Sequence, residues 1–247
     1  MTRLDAALVA RGLAHSRTAA QGAIAAGAVT VNGRPASKAA QPVEAADVLE
    51  AQVDPWVSRA AHKLLGALAD SQTAVRGRVL DAGASTGGFT EVCLAAGAER
   101  VYAVDVGHGQ LVPALRQDPR VVVWERTNLR DLTLAHVEGA PVDLIVADVS
   151  FISLTLLLPA LLGVLAPDGE ALLLVKPQFE VGRAGLDAHG VVRSERLREQ
   201  AVEQVAAAAA GLGRPPVWRG PSRLPGENGN QEWFLKLAGL RSVGGDG

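Results

Sequence analysis

The chain has 247 residues, enough for one or two domains of the usual ~100–200. Hydrophobic residues make up 48% and charged residues 20%, and 27 glycines with 13 prolines fall well below the ~25–30% that marks disorder, which excludes a mainly disordered, collagen-like or mucin-like chain. A net charge of −2 excludes a polycation, and one cysteine, Cys93, excludes an internal disulfide and fits a reducing, cytoplasmic compartment. The longest apolar stretch, Leu154 to Ala166, is broken by Pro159 and is shorter than the ~20 residues of a membrane span. Asp5 and Arg11 interrupt any apolar leader core, so no membrane role is expected. The charge is uneven. Residues 1–43 hold Arg3, Arg11, Arg17, Arg34 and Lys38 against Asp5 alone, and the remainder is acidic on balance. A basic head on an acidic body fits a polyanion-binding module joined to something else.

The head opens with Leu4, Leu8 and Val9 at helical spacing, and Gly12 can end that helix. Ser16 is a candidate N-cap for a second helix with Ala20, Ala23 and Ile24 on its apolar face, closed by Gly27. Val29-Thr30-Val31-Asn32-Gly33-Arg34 then reads as a hairpin, because Asn-Gly after a β-branched run supplies the positive φ angles of a two-residue turn. Helix, helix and hairpin with Val-Asn-Gly resemble the S4-type RNA-binding module. The resemblance implies an RNA-binding unit over residues 1–50, with Arg3, Arg11, Arg17 and Arg34 as its candidate RNA contacts. Residues 51–57 read as a linker, where Pro55 blocks a helix and pushes Asp54 to extended geometry.

The rest alternates strands and helices, which means βαβ units and a parallel sheet. Strands are expected at 78–84, 101–106, 121–124, 142–147 and 171–176, with two terminal strands near Trp218 and over Trp233 to Leu237. Helices are expected after the first strand to about Ala96, over Leu154 to Leu165, and over Ser194 to Gly211 with Ser194 as cap. The Gly-rich tail at 242–247 reads as flexible. The fold class is α/β: a Rossmann-like sheet with a small N-terminal α+β domain.

The first strand runs into Asp81-Ala82-Gly83-Ala84-Ser85-Thr86-Gly87-Gly88-Phe89-Thr90. A glycine-rich turn there lets backbone approach a ligand and opens a helix N-terminus. Asp105 ends the second strand, where a carboxylate accepts hydrogen bonds from both ribose hydroxyls of an adenosine moiety. The pattern lacks the glycines of Gly-x-Gly-x-x-Gly, and Asp81 at the mouth of the turn would repel a pyrophosphate while suiting a cationic amino group. S-adenosylmethionine, with an ammonium and a sulfonium, is therefore expected over NAD. The expected cofactor-binding residues are Asp81, Gly83, Ser85, Gly87, Gly88, Phe89 and Asp105, and no metal is expected.

Only four lysines stand against twenty arginines. A position that keeps lysine where arginine is the habit points to what arginine cannot do, which is to lose a proton. Lys176 ends the fifth strand and Asp148 ends the fourth, so the two should meet on the carboxyl rim of the sheet, where ligands bind. Lys63 lies before the first strand and Glu232 opens the last.

Residues 58–237 resemble the FtsJ-type RNA 2′-O-methyltransferases. The resemblance is carried by Ser58-Arg59-Ala60-Ala61-His62-Lys63, the turn from Asp81 to Thr90, Val104-Asp105-Val106-Gly107, Ala147-Asp148-Val149-Ser150-Phe151-Ile152-Ser153, Val175-Lys176-Pro177-Gln178-Phe179-Glu180 and Gly229-Asn230-Gln231-Glu232-Trp233. With the basic head, the whole chain resembles the hemolysin A family of ribosomal RNA 2′-O-methyltransferases. The resemblance implies a methyltransferase domain over 58–241, a catalytic tetrad of Lys63, Asp148, Lys176 and Glu232, Arg59 as a further RNA contact, and a cytidine ribose of ribosomal RNA within ribosomal subunits as substrate. In that reading Lys176 is the general base, Asp148 and Glu232 position it, and Lys63 steadies a developing oxyanion or a phosphate. Lys63 as a neighbouring cation and partial burial favour neutral Lys176, against its ordinary pKa of roughly 10.4, while Asp148 and Glu232 oppose that by stabilising the ammonium.

Relatives with two ribosomal targets carry a basic N-terminal extension, a longer C-terminal tail and an arginine before the linker tryptophan. This chain starts two residues before Arg3, ends soon after Leu240 and has Asp54-Pro55-Trp56, so the large-subunit 23S RNA is expected rather than both 23S and 16S. A monomer is expected. Two other classes compete: a non-catalytic RNA-binding protein with a relict methyltransferase fold, opposed by the intact tetrad and turn, and a membrane-lytic protein, opposed by the lack of a basic amphipathic helix of adequate length. Cys93 sits in the helix after the turn and reads as core rather than as the nucleophile of a base methyltransferase.

Overall fold

The computed structural model describes residues 1–226 and 228–239. The expected tail at 242–247 and the last two positions of the expected 58–241 unit lie outside the described residues. The chain divides into two compact units, Met1–Val57 and Ser58–Gly247.

In the first unit β1 (Thr2–Arg3) leads into α1 (Leu4–Ala10), followed by α2 (Arg17–Ala25), β2 (Val29–Val31), β3 (Arg34–Pro35), β4 (Pro42–Val43) and β5 (Leu49–Ala51). The Ser16 side chain accepts from the Ala19 N–H and caps α2, as expected. Asn32 and Gly33 take φ of +52° and +74°, the conformation that lets two residues join β2 to β3. β2 lies between β3 and β5, and β1 pairs antiparallel with β4. Leu4, Leu8, Ala20, Ile24, Val29 and Val43 are buried together, so both helical faces and the hairpin close one small core. β1, β4 and β5 carry no sequence signal because two or three residues are too few to show an alternation. Ala51, expected in a linker, instead pairs with Val29 as the end of β5.

The second unit opens with α3 (Ala60–Ser71), which the sequence reading passed over although Ala61, Leu64 and Ala67 bury one face at helical spacing. Then come β6 (Arg78–Ala82), α4 (Gly88–Ala95), β7 (Arg100–Val104), α5 (Pro113–Arg116), β8 (Val121–Trp124), β9 (Val142–Ala147), α6 (Leu158–Gly163), β10 (Leu165–Val175), α7 (Pro177–Glu180), α8 (Glu195–Gly211), β11 (Pro216–Pro221) and β12 (Trp233–Leu237). They form a seven-stranded sheet in the order β11-β12-β10-β9-β6-β7-β8. β6 to β10 are mutually parallel, and β12 runs antiparallel to both β10 and β11. The order reverses between β6 and β9, and a crevice at the carboxyl ends of strands is expected there.

The expected helix over Leu154 to Leu165 is broken. A 3₁₀ turn covers Leu154–Leu156, α6 restarts at Leu158, and Leu165 already pairs with Val142 at the start of β10. Pro159 is the reason: without an N–H it sits in a first helical turn and not in a helix interior. Tyr102, Leu80, Ile145, Leu154, Leu157, Leu158 and Leu161 are fully buried around the sheet, each contributing about 1.5–3 kcal/mol by leaving water. Among the described residues no helix is long and apolar enough to cross a membrane.

Candidate active site

After β6 the chain turns through Gly83 (φ +86°), Ser85 (φ +48°) and Gly87 (φ +104°) into α4. A Cβ on Gly83 would stand 2.6 Å from the Asp148 carbonyl oxygen, so that position admits no side chain. The Ser85 N–H donates to Asp105 Oδ2 at 2.8 Å and the Gly107 N–H to Oδ1 at 2.6 Å. The carboxylate is thereby fixed at the end of β7 as an acceptor, and each oxygen keeps a further lone pair for a ribose hydroxyl.

Asp81 departs from expectation. It has no exposed surface and sits within β6 between Ala103 and Val146, beneath the turn and not at its mouth. A parallel sheet covered on both faces buries every residue of its central strands. Thr90 Oγ1 donates to Asp81 Oδ2 at 2.6 Å, while Oδ1 has no hydrogen-bond partner. Burial pushes this carboxyl up to about 7, against the Thr90 hydrogen bond. Phe89 is also buried, its ring centroid 6.4 Å from that of Phe234.

Beside Asp105 the turn leaves little open space. Ser85 Oγ donates to Gln110 Oε1 at 3.1 Å, and the hollow between Ser85, Asp105, Gly107 and Gln110 measures only about 10 Å³. The Asp105 carboxylate suits the hydroxyls of a nucleoside, and Gln110 occupies the space beside it.

Beside the turn lies an open cleft of about 1140 Å³ at the carboxyl rim, and Lys63, Asp148, Lys176 and Glu232 all line it. The strand ends explain the meeting. β9 and β10 are parallel neighbours with Ala147 opposite Leu173, while β12 runs back along β10 with Trp233 opposite Val175. Lys176 Nζ lies 2.6 Å from Asp148 Oδ1 and donates to Ser150 Oγ at 2.8 Å. The contact with Asp148 is ionic and not a directed hydrogen bond. Lys63 reaches in from α3, and its Nζ donates to Glu232 Oε2 at 2.6 Å. The four residues thus form two ion pairs. The expectation that Glu232 positions Lys176 is corrected: Glu232 is 2% exposed and takes Lys63, a buried ammonium that needs a counter-charge.

Of the expected RNA contacts, Arg34 is exposed on β3 and Arg59 is exposed on the cleft, with Arg59 Nη2 donating to the Pro225 carbonyl at 2.8 Å. Arg3 and Arg17 are exposed and both pair with buried Asp5, at 3.0 and 3.1 Å. Arg11 is a staple within the unit: its guanidinium donates to the carbonyls of Asp47 at 2.5 Å and Glu44 at 2.7 Å.

The sequence reading missed Ser150 as the hydroxyl holding Lys176, and it missed Arg130, Arg183 and Phe151 on the cleft wall. Phe151 is 92% exposed at φ +64°, with its ring 5.2 Å from that of Phe179. An aromatic residue inside a strand-end motif gives no sequence sign of facing solvent. Cys93 is fully buried and burial pushes its thiol up, which leaves it inert as a nucleophile. Among the described residues no group of three or more His, Cys, Asp or Glu side chains is arranged to hold a metal.

Comparison with known proteins adds to this geometry. The pattern of the family described as FtsJ-like methyltransferase matches residues 56–238, and that of the S4 domain matches residues 2–49. The chain is 53% identical over 239 residues to a Mycobacterium tuberculosis protein named 16S/23S rRNA (cytidine-2′-O)-methyltransferase TlyA, covering 95% of this chain and 89% of that one. It is 39% identical to a Brachyspira hyodysenteriae protein named Hemolysin A, covering 94% and 98%. A solved structure from Streptococcus thermophilus that carries a hemolysin name superposes with a TM-score of 0.76 at 38% identity, covering 99% of this chain and 90% of that one.

Proposed function

The chain belongs to the FtsJ-like methyltransferase family, and we propose that it transfers a methyl group from S-adenosylmethionine to the 2′-hydroxyl of a cytidine in ribosomal RNA. The observation that carries this reading is the amine of Lys176, held between Asp148 and Ser150 in an open cleft beside the glycine-rich turn. The S4 domain and the rRNA methyltransferase name of the Mycobacterium tuberculosis relative support RNA as substrate. We take the 23S RNA of the large subunit as the target, on the linker Asp54-Pro55-Trp56, which lacks an arginine before the tryptophan.

S-adenosylmethionine, when bound, supplies a methyl group on a positively charged sulfur. Asp105 would accept from its ribose hydroxyls, and the backbone of Gly83 to Gly88 would lie against it. A ribose hydroxyl is a weak acid, so an amine within hydrogen-bond reach must draw off its proton as the oxygen attacks. Lys176 Nζ is that amine and ends with the proton, and the Asp148 carboxylate 2.6 Å away stabilises the ammonium formed. Asp148 and Ser150 fix its direction. Lys63, held by Glu232, presents a cation to the cleft that steadies the developing oxyanion or an adjacent phosphate. Most of the acceleration then comes from holding oxygen and methyl carbon in line.

Labelled-methyl transfer to isolated ribosomal subunits, followed by mapping of ribose methylation, tests the reading. Label on one cytidine ribose of 23S RNA, lost in Lys176→Ala, is expected. Label on a base, or near-normal transfer by Lys176→Ala, overturns it.

A further inference from the structure

Asp5 has no exposed surface, yet it lies beneath three exposed polar side chains of the first unit. Its Oδ1 accepts from Arg3 Nε at 3.1 Å and from the Ala6 N–H at 2.9 Å. Its Oδ2 accepts from Arg3 Nη2 at 3.0 Å, Arg17 Nη2 at 3.1 Å and Gln21 Nε2 at 2.8 Å. The grip on Arg3 is bidentate, the strongest geometry a guanidinium and a carboxylate make. Arg3 ends β1 and Arg17 begins α2, so one carboxylate ties together arginines from two elements. Those hydrogen bonds hold the Asp5 carboxyl well below its usual range, so it is ionised wherever the protein works.

A guanidinium has five N–H donors; Arg3 uses two on Asp5 and Arg17 uses one, which leaves most of both forks available. A free arginine loses considerable rotamer entropy when it grips a ligand, whereas an arginine already tethered from below loses less. The cluster keeps one net positive charge and presents two planar forks, the form that takes phosphate oxygens.

We infer that Asp5 is a positioning residue that sets Arg3 and Arg17 as a two-pronged clamp for the phosphate backbone of the RNA substrate. The inference rests on the RNA-modifying reading above and adds a role for an acidic residue within a basic face. The two physical possibilities predict opposite signs. If Asp5 only neutralises charge, removing its charge makes the face more positive and tightens RNA binding. If it positions, removing its charge frees both arginines and weakens binding.

The test uses the full chain with isolated large ribosomal subunits as the probe, in binding and methyl-transfer assays at several salt concentrations. Asp5→Asn is expected to weaken binding about tenfold, from the lost ordering of two side chains, and to raise KM while leaving kcat unchanged. Arg3→Lys/Arg17→Lys keeps both charges at exposed positions that do not threaten the core, and is expected to weaken binding similarly because lysine lacks the fork. Adding Asp5→Asn to that double variant is expected to change nothing further. Equal or tighter binding by Asp5→Asn overturns the inference, as does an unchanged affinity of the lysine double variant or a full further loss on combining them, which would mark a fold defect. Wild-type protein that neither binds nor methylates the subunits would instead overturn the RNA-modifying reading itself.

Discussion

Lys63 Nζ lies 2.6 Å from Glu232 Oε2, joining α3 to the start of β12 across 169 positions of sequence, with both side chains nearly out of solvent. Removing one partner of such a pair leaves a buried charge uncompensated, at a cost near ~3 kcal/mol, while replacing both with apolar groups of similar volume costs far less. Glu232→Gln and Lys63→Met are each expected to lower unfolding free energy by about that amount, and Lys63→Met/Glu232→Leu to recover most of it. Denaturant unfolding of the four proteins checks this. Strict additivity would mean that the pair is not energetically closed.

Lys176→Arg separates charge from proton transfer. Arginine keeps a cation beside Asp148 and Ser150 but does not lose its proton near neutral pH. Methyl transfer is expected to fall at least ~100-fold, with subunit binding unchanged. Single-turnover transfer at saturating S-adenosylmethionine makes the measurement, and an active Lys176→Arg variant would exclude Lys176 as the base.

Asp81 carries a pH signature. Its folded-state pKa is raised to about 7 from an ordinary 3.8, so the folded chain binds this proton more tightly than the unfolded one. Stability from this group is therefore full below about pH 4 and falls as pH rises toward 7, by at most roughly 4 kcal/mol. Asp81→Asn keeps an acceptor for Thr90 and does not titrate, so its melting temperature is expected to fall less than that of the wild type between pH 5 and pH 8. Parallel pH dependences in a thermal scan would show that the Asp81 carboxyl is not titrating in this range.

Gln110 closes the hollow beside Asp105 by accepting a hydrogen bond from Ser85. Gln110→Ala removes that latch without touching Asp105. S-adenosylmethionine is expected to bind the variant several-fold more tightly and faster, since opening no longer costs a hydrogen bond of about 0.5–1.5 kcal/mol. Calorimetry and stopped-flow binding read both quantities. Weaker binding would instead make Gln110 a ligand for the cofactor.

Much of this architecture was legible because its signals are local. Ser16 and Ser194 cap their helices as expected, the Asn32-Gly33 turn has the two positive φ angles its residues favour, and the apolar run Val142–Ala147 is a central parallel strand. The meeting of Lys176 with Asp148 followed from their places at adjacent strand ends. What was not legible depends on which partner a side chain finds in space. Glu232 precedes Trp233, which lies opposite Val175 just before Lys176, but its carboxylate takes Lys63 from α3. Asp81 looked like a mouth residue until both sheet faces were covered. Arg11 counts as basic in composition, yet backbone carbonyls at Glu44 and Asp47 hold it.

The reversed strand β12 has a consequence for how the protein comes into being. Translation delivers Lys63 early and Glu232 late, so the five parallel strands can emerge while the α3 lysine still lacks its counter-charge. The rim is completed only when the final strand slots between β10 and β11. A half-made chain leaving the exit tunnel thus lacks the Lys63–Glu232 pair that completes the wall of the cleft.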